Sequence, residues 1–233
     1  ATETLAASAR GGPPAAVPAA PPAGHAAGAM ALPPRLPFVG RHAEVAALET
    51  AWRDGRSVLV EGEGGVGKTR LVLDFAAAHG PYAWVHCRPG DAELPYAAFT
   101  RALRALAGPT PQLGDQPAWV TEEVSRLLPE LGEAPRPIRS AEERSRFFEA
   151  CNRAWTALAA ENFDAVVLDG WHHADPASRS LLSFVAARRR ESSTLGGARE
   201  LLLLRPDLDV AAIAQMRDAM QALHLRLAPL PVE

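Results

Sequence analysis

Gly62-Glu-Gly-Gly-Val-Gly67-Lys68-Thr69 gathers four glycines, one lysine and one hydroxyl into eight residues. The spacing G-x-x-x-x-G-K-[ST] is that of a loop that wraps phosphate groups. Its glycines let backbone N–H groups turn inward where a Cβ would obstruct an oxygen. Val58-Leu-Val60 reads as a strand leading into the loop, and residues 67–79 read as a helix whose N-terminus adds partial positive charge. Lys68 is a flexible point charge for the β and γ phosphates, and the Thr69 hydroxyl suits Mg²⁺. The candidate phosphate contacts are therefore Gly62, Gly64, Gly65, Val66, Gly67, Lys68, Thr69 and Arg70. A glycine-rich turn without a ligand is the alternative, and the full match between strand and helix weighs against it.

Lys68 is also the only lysine among 24 basic residues; the other 23 are arginines. A planar guanidinium fork does not easily enter a narrow phosphate loop, so this is where replacement of lysine by arginine should fail.

A loop of this kind needs an acid at the end of a later buried strand, to hold Mg²⁺ directly or through water. Ala165-Val-Val-Leu168-Asp169 supplies it, which pairs Asp169 with Thr69 as the metal candidates. Capping of the next turn is the competing role for Asp169. Many hydrolytic sites of this type place a second acid directly after the first, and that position here is Gly170. Asp175 is accounted for as the N-cap of a helix that has Pro176 at its first position. His172 and His173 could position a water, although adjacent loop histidines more often serve surface or packing roles. Glu63, inside the loop, is the other nearby candidate. Binding is thus better supported than hydrolysis.

The elements that must position these residues follow from pattern. The 233 residues carry a formal net charge of −3, which argues against a broad basic nucleic-acid face. Cys87 and Cys151 make no disulfide framework and no C-x-x-C pair, which suits a reduced, cytoplasmic setting. No apolar run approaches the roughly 18 residues that a membrane span needs. From residue 38 onward strands alternate with helices. Strands are expected at 57–61, 82–87, 165–168, 200–204 and 223–227. Helices are expected at 43–53, 67–79, 96–106, 118–128, 140–161, 176–190 and 210–222. Ser140-x-x-Glu143 is a capping box at the start of the longest helix. Five strands separated by helices imply an α/β sandwich of three layers, with a mostly parallel sheet covered on both faces. Arg188-Arg-Arg190 lies at a helix end, where it complements the dipole and solvates the surface.

Residues 11–37 are mostly Ala, Pro and Gly, which reads as a linker. The chain begins with Ala1 and ends at Glu233, and it reads as a piece of something longer.

Several segments resemble the AAA-type ATPase domains of bacterial signal-transduction regulators, the STAND class. Phe38-Val-Gly-Arg41, with Glu44 after it, resembles that family's entry motif. The resemblance implies Val39, Gly40 and Arg41 beside the adenine and ribose. Glu93-Leu-Pro-Tyr96-x-x-Phe99 is similar to a segment of large LuxR-type regulators, and Asp169-Gly-Trp-His-His-Ala-Asp-Pro176 keeps the frame of the family's second motif without its second acid. Leu201-Leu-Leu-Leu-Arg205 is similar to the sensor strand, which implies Arg205 near the γ-phosphate. Leu223-His-Leu-Arg-Leu-Ala-Pro-Leu230 resembles the last core strand, after which the family continues into a helical lid that this chain lacks. Residues 1–10 resemble the closing helix of the bacterial transcriptional activator domain.

The resemblance implies a P-loop NTPase core over residues 38–233, with ATP and Mg²⁺ as cofactors. The expected function is an ATP-binding switch in a cytoplasmic transcriptional regulator, with slow hydrolysis at most. Weak catalytic candidates are His172 and Arg205. The implied partners are ATP or ADP and the lid and helical sensor repeats of the same polypeptide. DNA would be met only through a domain outside this chain, and no membrane is involved. The alternatives are an active ATPase motor or phosphotransferase, and a degenerate domain kept as a protein-interaction scaffold.

Overall fold

The computed structural model describes residues 40–109, 111–160, 162–191 and 197–230. The expectations for residues 1–10, 11–37 and Val39 lie outside the described residues. Five strands, β1 (Val58–Gly62), β2 (Tyr82–His86), β3 (Ala165–Asp169), β4 (Arg199–Leu204) and β5 (Leu223–Leu227), alternate with helices. The helices are α1 (His42–Arg53), α2 (Lys68–His79), α3 (Ala97–Ala107), α4 (Ala118–Val124), α5 (Ala141–Ala160), α6 (Pro176–Glu191) and α7 (Val210–Met220). Every strand pairing is parallel, in the order β2-β3-β4-β1-β5, so the sheet is wholly rather than mostly parallel.

Parallel strands must be joined by crossovers, and the helices in those crossovers bury both faces of the sheet. This explains why the strands read as continuous apolar runs. Alternate side chains divide between two cores. Val58, Val60, Ala165, Val167, Leu201 and Leu203 pack under α1 and α2 with Leu48, Leu71 and Phe75. Leu59, Val166, Leu168, Leu202 and Leu204 face the other layer, with residues of α3, α5, α6 and α7. The result is a three-layer α/β P-loop NTPase fold.

The start of α5 is encoded locally. The Ser140 hydroxyl accepts from Glu143 N at 3.2 Å, and Glu143 Oε2 accepts from Ser140 N at 3.3 Å, as a capping box requires. α4 stops at Val124, short of the expected residue 128, because the Ser125 hydroxyl donates to Glu122 O and Glu133 O and the chain tightens into i→i+3 turns. Arg189 corrects its expected surface role. Its guanidinium turns inward to Glu200 Oε2 at 2.9 Å, Ser57 Oγ and Gly55 O, joining α6 to the entry ends of β4 and β1. Arg188 stays outside, against Glu149 and Glu191.

Asp175 does more than cap α6. One carboxylate oxygen accepts from Ser178 N at 2.8 Å and from Tyr96 N at 2.9 Å, and the other accepts from the Ser178 hydroxyl. That hydroxyl in turn accepts from Phe99 N at 3.0 Å. Tyr96 adopts a left-handed φ of 63°, so the Tyr96 and Phe99 of the 93–99 motif start α3 by leaning on α6. Phe99 then stacks on Trp155 of α5, which makes the motif a packing device. Asp175→Ala leaves the buried Ser178 N–H and the partly buried Tyr96 N–H without their acceptor and should destabilise the fold by about 2–4 kcal/mol. A urea unfolding midpoint close to wild type would show that the network is replaceable.

Candidate functional site

In an open parallel sheet, ligand-binding groups gather beyond the carboxyl ends of the strands. Register decides which residues meet there. Glu61 pairs with Leu204 and His86 pairs with Asp169, so the exits of β1, β2, β3 and β4 lie along one edge. The 62–69 loop leaves β1 and opens α2 directly. Gly67, the residue before α2, has φ 96°, a conformation that L side chains rarely adopt.

Thr69, on the first turn of α2, donates its hydroxyl to Asp169 Oδ2 at 2.9 Å, although the two residues are 100 apart in sequence. A hydroxyl and a carboxylate side by side are hard oxygen donors of the kind Mg²⁺ takes. Among the described residues no group of three His, Cys, Asp or Glu could hold a metal by itself. Mg²⁺ commonly takes one or two protein oxygens and completes its shell with phosphate and water, so the pair fits.

Lys68 Nζ donates to Gly62 O at 2.6 Å and to Glu63 O at 2.8 Å, which sets the ammonium inside the loop. Its pKa is lowered by burial and then by the Arg205 charge, against the opposing pull of Asp169, Glu63 and Asp207. Arg205, just past β4, brings its guanidinium to Gly64, where a Cβ would lie 3.9 Å from Cζ. Arg70 lies exposed on α2, with Nε 3.6 Å from Asp74 Oδ2. The loop, Lys68, Thr69, Asp169 and Arg205 are thus brought together from three strand ends.

The entry segment behaves differently. Gly40 (φ 86°) abuts Leu230. Arg41 is only 5% exposed, and its guanidinium donates to Ala228 O at 2.6 Å, Val66 O at 3.2 Å and Glu44 Oε1 at 2.8 Å. Burial opposes ionisation of Glu44, but the hydrogen bond from Arg41, a backbone hydrogen bond and the Arg41 charge together outweigh it and its pKa is lowered. Arg41 therefore clasps the phosphate loop to the exit of β5 and to α1. Beside it a hollow is lined by Arg41, His42, Val45 and Ala46.

His172 follows Asp169 on the short turn Trp171–His173, with its ring tilted 44° against that of His173 and the centroids 3.9 Å apart. Burial, then His173, Arg205 and Lys68, push its pKa down to about 4, with only Asp207 opposing, so the ring is neutral at neutral pH. Two residues were missed in the sequence. His86, 63% exposed at the end of β2, holds Nδ1 3.9 Å from Asp169 Oδ2. Asp207, beyond β4, acts on both Lys68 and His172. His86 was discoverable only from the pairing of β2 with β3, and Asp207 only from its place two residues after Arg205.

Gly170 is not simply an acid deleted in place. It has φ 73°, and a Cβ there would sit 3.0 Å from Cys87 O and 3.7 Å from His173 Cδ2. The backbone has already turned away from the extended course that β3 follows.

The sequence model of one family, described as an AAA ATPase domain, matches residues 37–202. No curated protein gives a significant match. Among solved structures, Cdc6p from Pyrobaculum aerophilum is 17% identical over 87% of this chain, with a TM-score of 0.46. The chain spans 48% of that Cdc6p chain. Drosophila ORC bound to DNA is 11% identical over 82% of this chain and 91% of its own, with a TM-score of 0.39. Pif1 helicase from Candida albicans is 15% identical over 82% and 40%, with a TM-score of 0.40.

Placing a side chain at Gly170 should strain the turn. Gly170→Asp and Gly170→Ala are each expected to cost about 1–3 kcal/mol in urea unfolding. Neither should accelerate ATP hydrolysis, because the new Cβ points at the Cys87 carbonyl. A faster Gly170→Asp variant would show that the turn reopens to accept the acid.

Proposed function

The chain belongs to the AAA ATPase domain family, and on that premise we propose that it is an ATP-dependent switch with slow hydrolysis, within a cytoplasmic bacterial transcriptional regulator of the STAND class. The observation that carries the nucleotide site is the Thr69–Asp169 hydrogen bond of 2.9 Å, which sets both metal candidates beside the phosphate loop. Loop amides from Gly62 to Arg70 and the N-terminus of α2 would cradle the phosphates. Lys68, already oriented by Gly62 O and Glu63 O, keeps donor capacity for a β or γ oxygen. Thr69 and Asp169 would hold Mg²⁺, which when bound neutralises phosphate charge. The hollow beside Arg41 suits the base. The preference for ATP over GTP rests on the family resemblance, and the sequence has no Asn-Lys-x-Asp guanine-reading segment.

Two features support a switch over a motor. Gly170 supplies no acid, and His172, with its pKa pushed down to about 4, is a weak base for water. Both flanks of the phosphate end also lead to α7. Arg205 precedes it through residues 206–209, and buried Trp171 donates Nε1–H to Met216 Sδ on α7 at 3.3 Å. A change at the terminal phosphate would reach α7 along either path. Among the described residues no helix is long and apolar enough to cross a membrane. The partners proposed are the lid and sensor domains of the same polypeptide, with DNA bound by a domain outside this chain.

Binding of fluorescent ATP with Mg²⁺ tests the reading. Lys68→Ala should weaken it by about 100-fold or more, which is roughly 3 kcal/mol. Asp169→Asn should remove most of the Mg²⁺ dependence. Undiminished binding by Lys68→Ala would sink the nucleotide site. Single-turnover phosphate release on the timescale of a motor, rather than minutes or longer, would replace the switch with an active ATPase.

A further inference from the structure

We propose that His86 is a third protein donor to the divalent cation of the Thr69–Asp169 pair, and that its ring nitrogen turns the site from Mg²⁺ toward Mn²⁺. The inference rests on the nucleotide-binding reading above and deepens it by naming the metal. Register supplies the first observation. His86 lies directly opposite Asp169 in the β2–β3 pairing, so both side chains rise from one face of the sheet. It is the face of Ala165 and Val167, which pack in the core under α1 and α2. Over β3 that face receives α2, whose first turn brings the Thr69 hydroxyl to Asp169 Oδ2 at 2.9 Å. β2 is the edge strand, and there the same face stays open, with Trp84 52% and the His86 side chain 63% exposed.

One carboxylate oxygen is therefore flanked by two donors, Thr69 Oγ1 on the α2 side and His86 Nδ1 at 3.9 Å on the open side. At that distance the ring is not hydrogen-bonded to Asp169, and an exposed ion pair of that length holds little energy. Adjacent donors to a small octahedral cation lie about 3 Å apart. The Thr69–Asp169 spacing already matches, and an exposed imidazole can close the remaining ~1 Å by side-chain rotation. Chemistry then selects the ion. Mg²⁺ is hard, keeps its waters and takes oxygen, so a nitrogen donor adds little for it. Mn²⁺ takes the same carboxylate, hydroxyl and phosphate oxygens, and as a first-row transition ion it accepts imidazole besides. The competing role for His86 is a surface ion pair that orients Asp169 without touching the cation.

Metal binding on the full chain with a non-hydrolysable ATP analogue separates the two. Pulsed electron paramagnetic resonance of the bound Mn²⁺ should show coupling to a directly bonded imidazole nitrogen, a wild-type measurement that depends on no variant's folding. The analogue should bind more tightly with Mn²⁺ than with Mg²⁺. His86→Ala should remove the nitrogen coupling and cut the Mn²⁺-to-Mg²⁺ affinity ratio about tenfold, while binding with Mg²⁺ stays within about twofold. His86→Gln, which can still hydrogen-bond Asp169 but carries no imidazole, should behave like alanine. His86→Asp, an oxygen donor, should shift the ratio toward Mg²⁺. A wild-type spectrum without nitrogen coupling, or a wild-type ratio kept by His86→Gln, overturns the proposal while the nucleotide site stands. Wild-type affinity in Lys68→Ala, or no binding by the wild type with either metal, means instead that the nucleotide-binding reading has failed, and the proposal falls with it.

Discussion

The hydrogen bond from Thr69 to Asp169 is the contact around which the molecule is arranged. It joins the first turn of α2, which follows β1, to the last residue of β3, and β1 and β3 are not neighbours. β4 lies between β1 and β3, so the bond exists only if both parallel pairings keep their register. A one-residue slip in either would exchange the two faces of a strand and misplace Asp169 as well. The layered core enforces that register, because alternate strand residues belong to different clusters under different helices. Packing energy spread over the whole sheet is thus what sets a 2.9 Å contact at its edge.

The segment after β3 carries two constraints at once. Gly170 turns the chain through a conformation closed to most residues, and Asp175 then ties the start of α6 to the start of α3. Between these fixed points only Trp171, His172, His173 and Ala174 remain, and Trp171 and Ala174 are committed to the core. The absence of a second acid goes with a left-handed turn at Gly170, and burial, then the charges of His173, Arg205 and Lys68, lower the pKa of His172 after it. Arg41 plays the corresponding role on the other side of the loop. By binding Val66 O and Ala228 O it makes the loop's shape depend on where β5 leaves the sheet.

Much of this was legible in the sequence because its signals are local. The phosphate loop, the alternation of strands and helices, the Ser140–Glu143 capping box and the Asp175-Pro176 helix start each lie within a few residues, where spacing alone dictates geometry. The exits of β1 and β3 were placed well enough to pair Thr69 with Asp169. Where local pattern was ambiguous it misled. Three consecutive arginines read as a solvated helix end, yet Arg189 is spent on buried Glu200, a partner that no spacing rule selects.

What the sequence by itself determined is chemical identity: a lone lysine in a glycine loop, an acid ending an apolar run, and a glycine where a second acid would stand. These depend on residue type and short-range backbone geometry. The tertiary structure alone decided which long-range partners those residues acquire. It made Arg41 a clasp between the phosphate loop and the exit of β5, brought His86 and Asp207 to the site, and left both nitrogens of His172 buried without a partner. The physical reason is that strand order and side-chain burial are collective properties. They follow from closing two cores over one sheet, and no single stretch of chain carries that information.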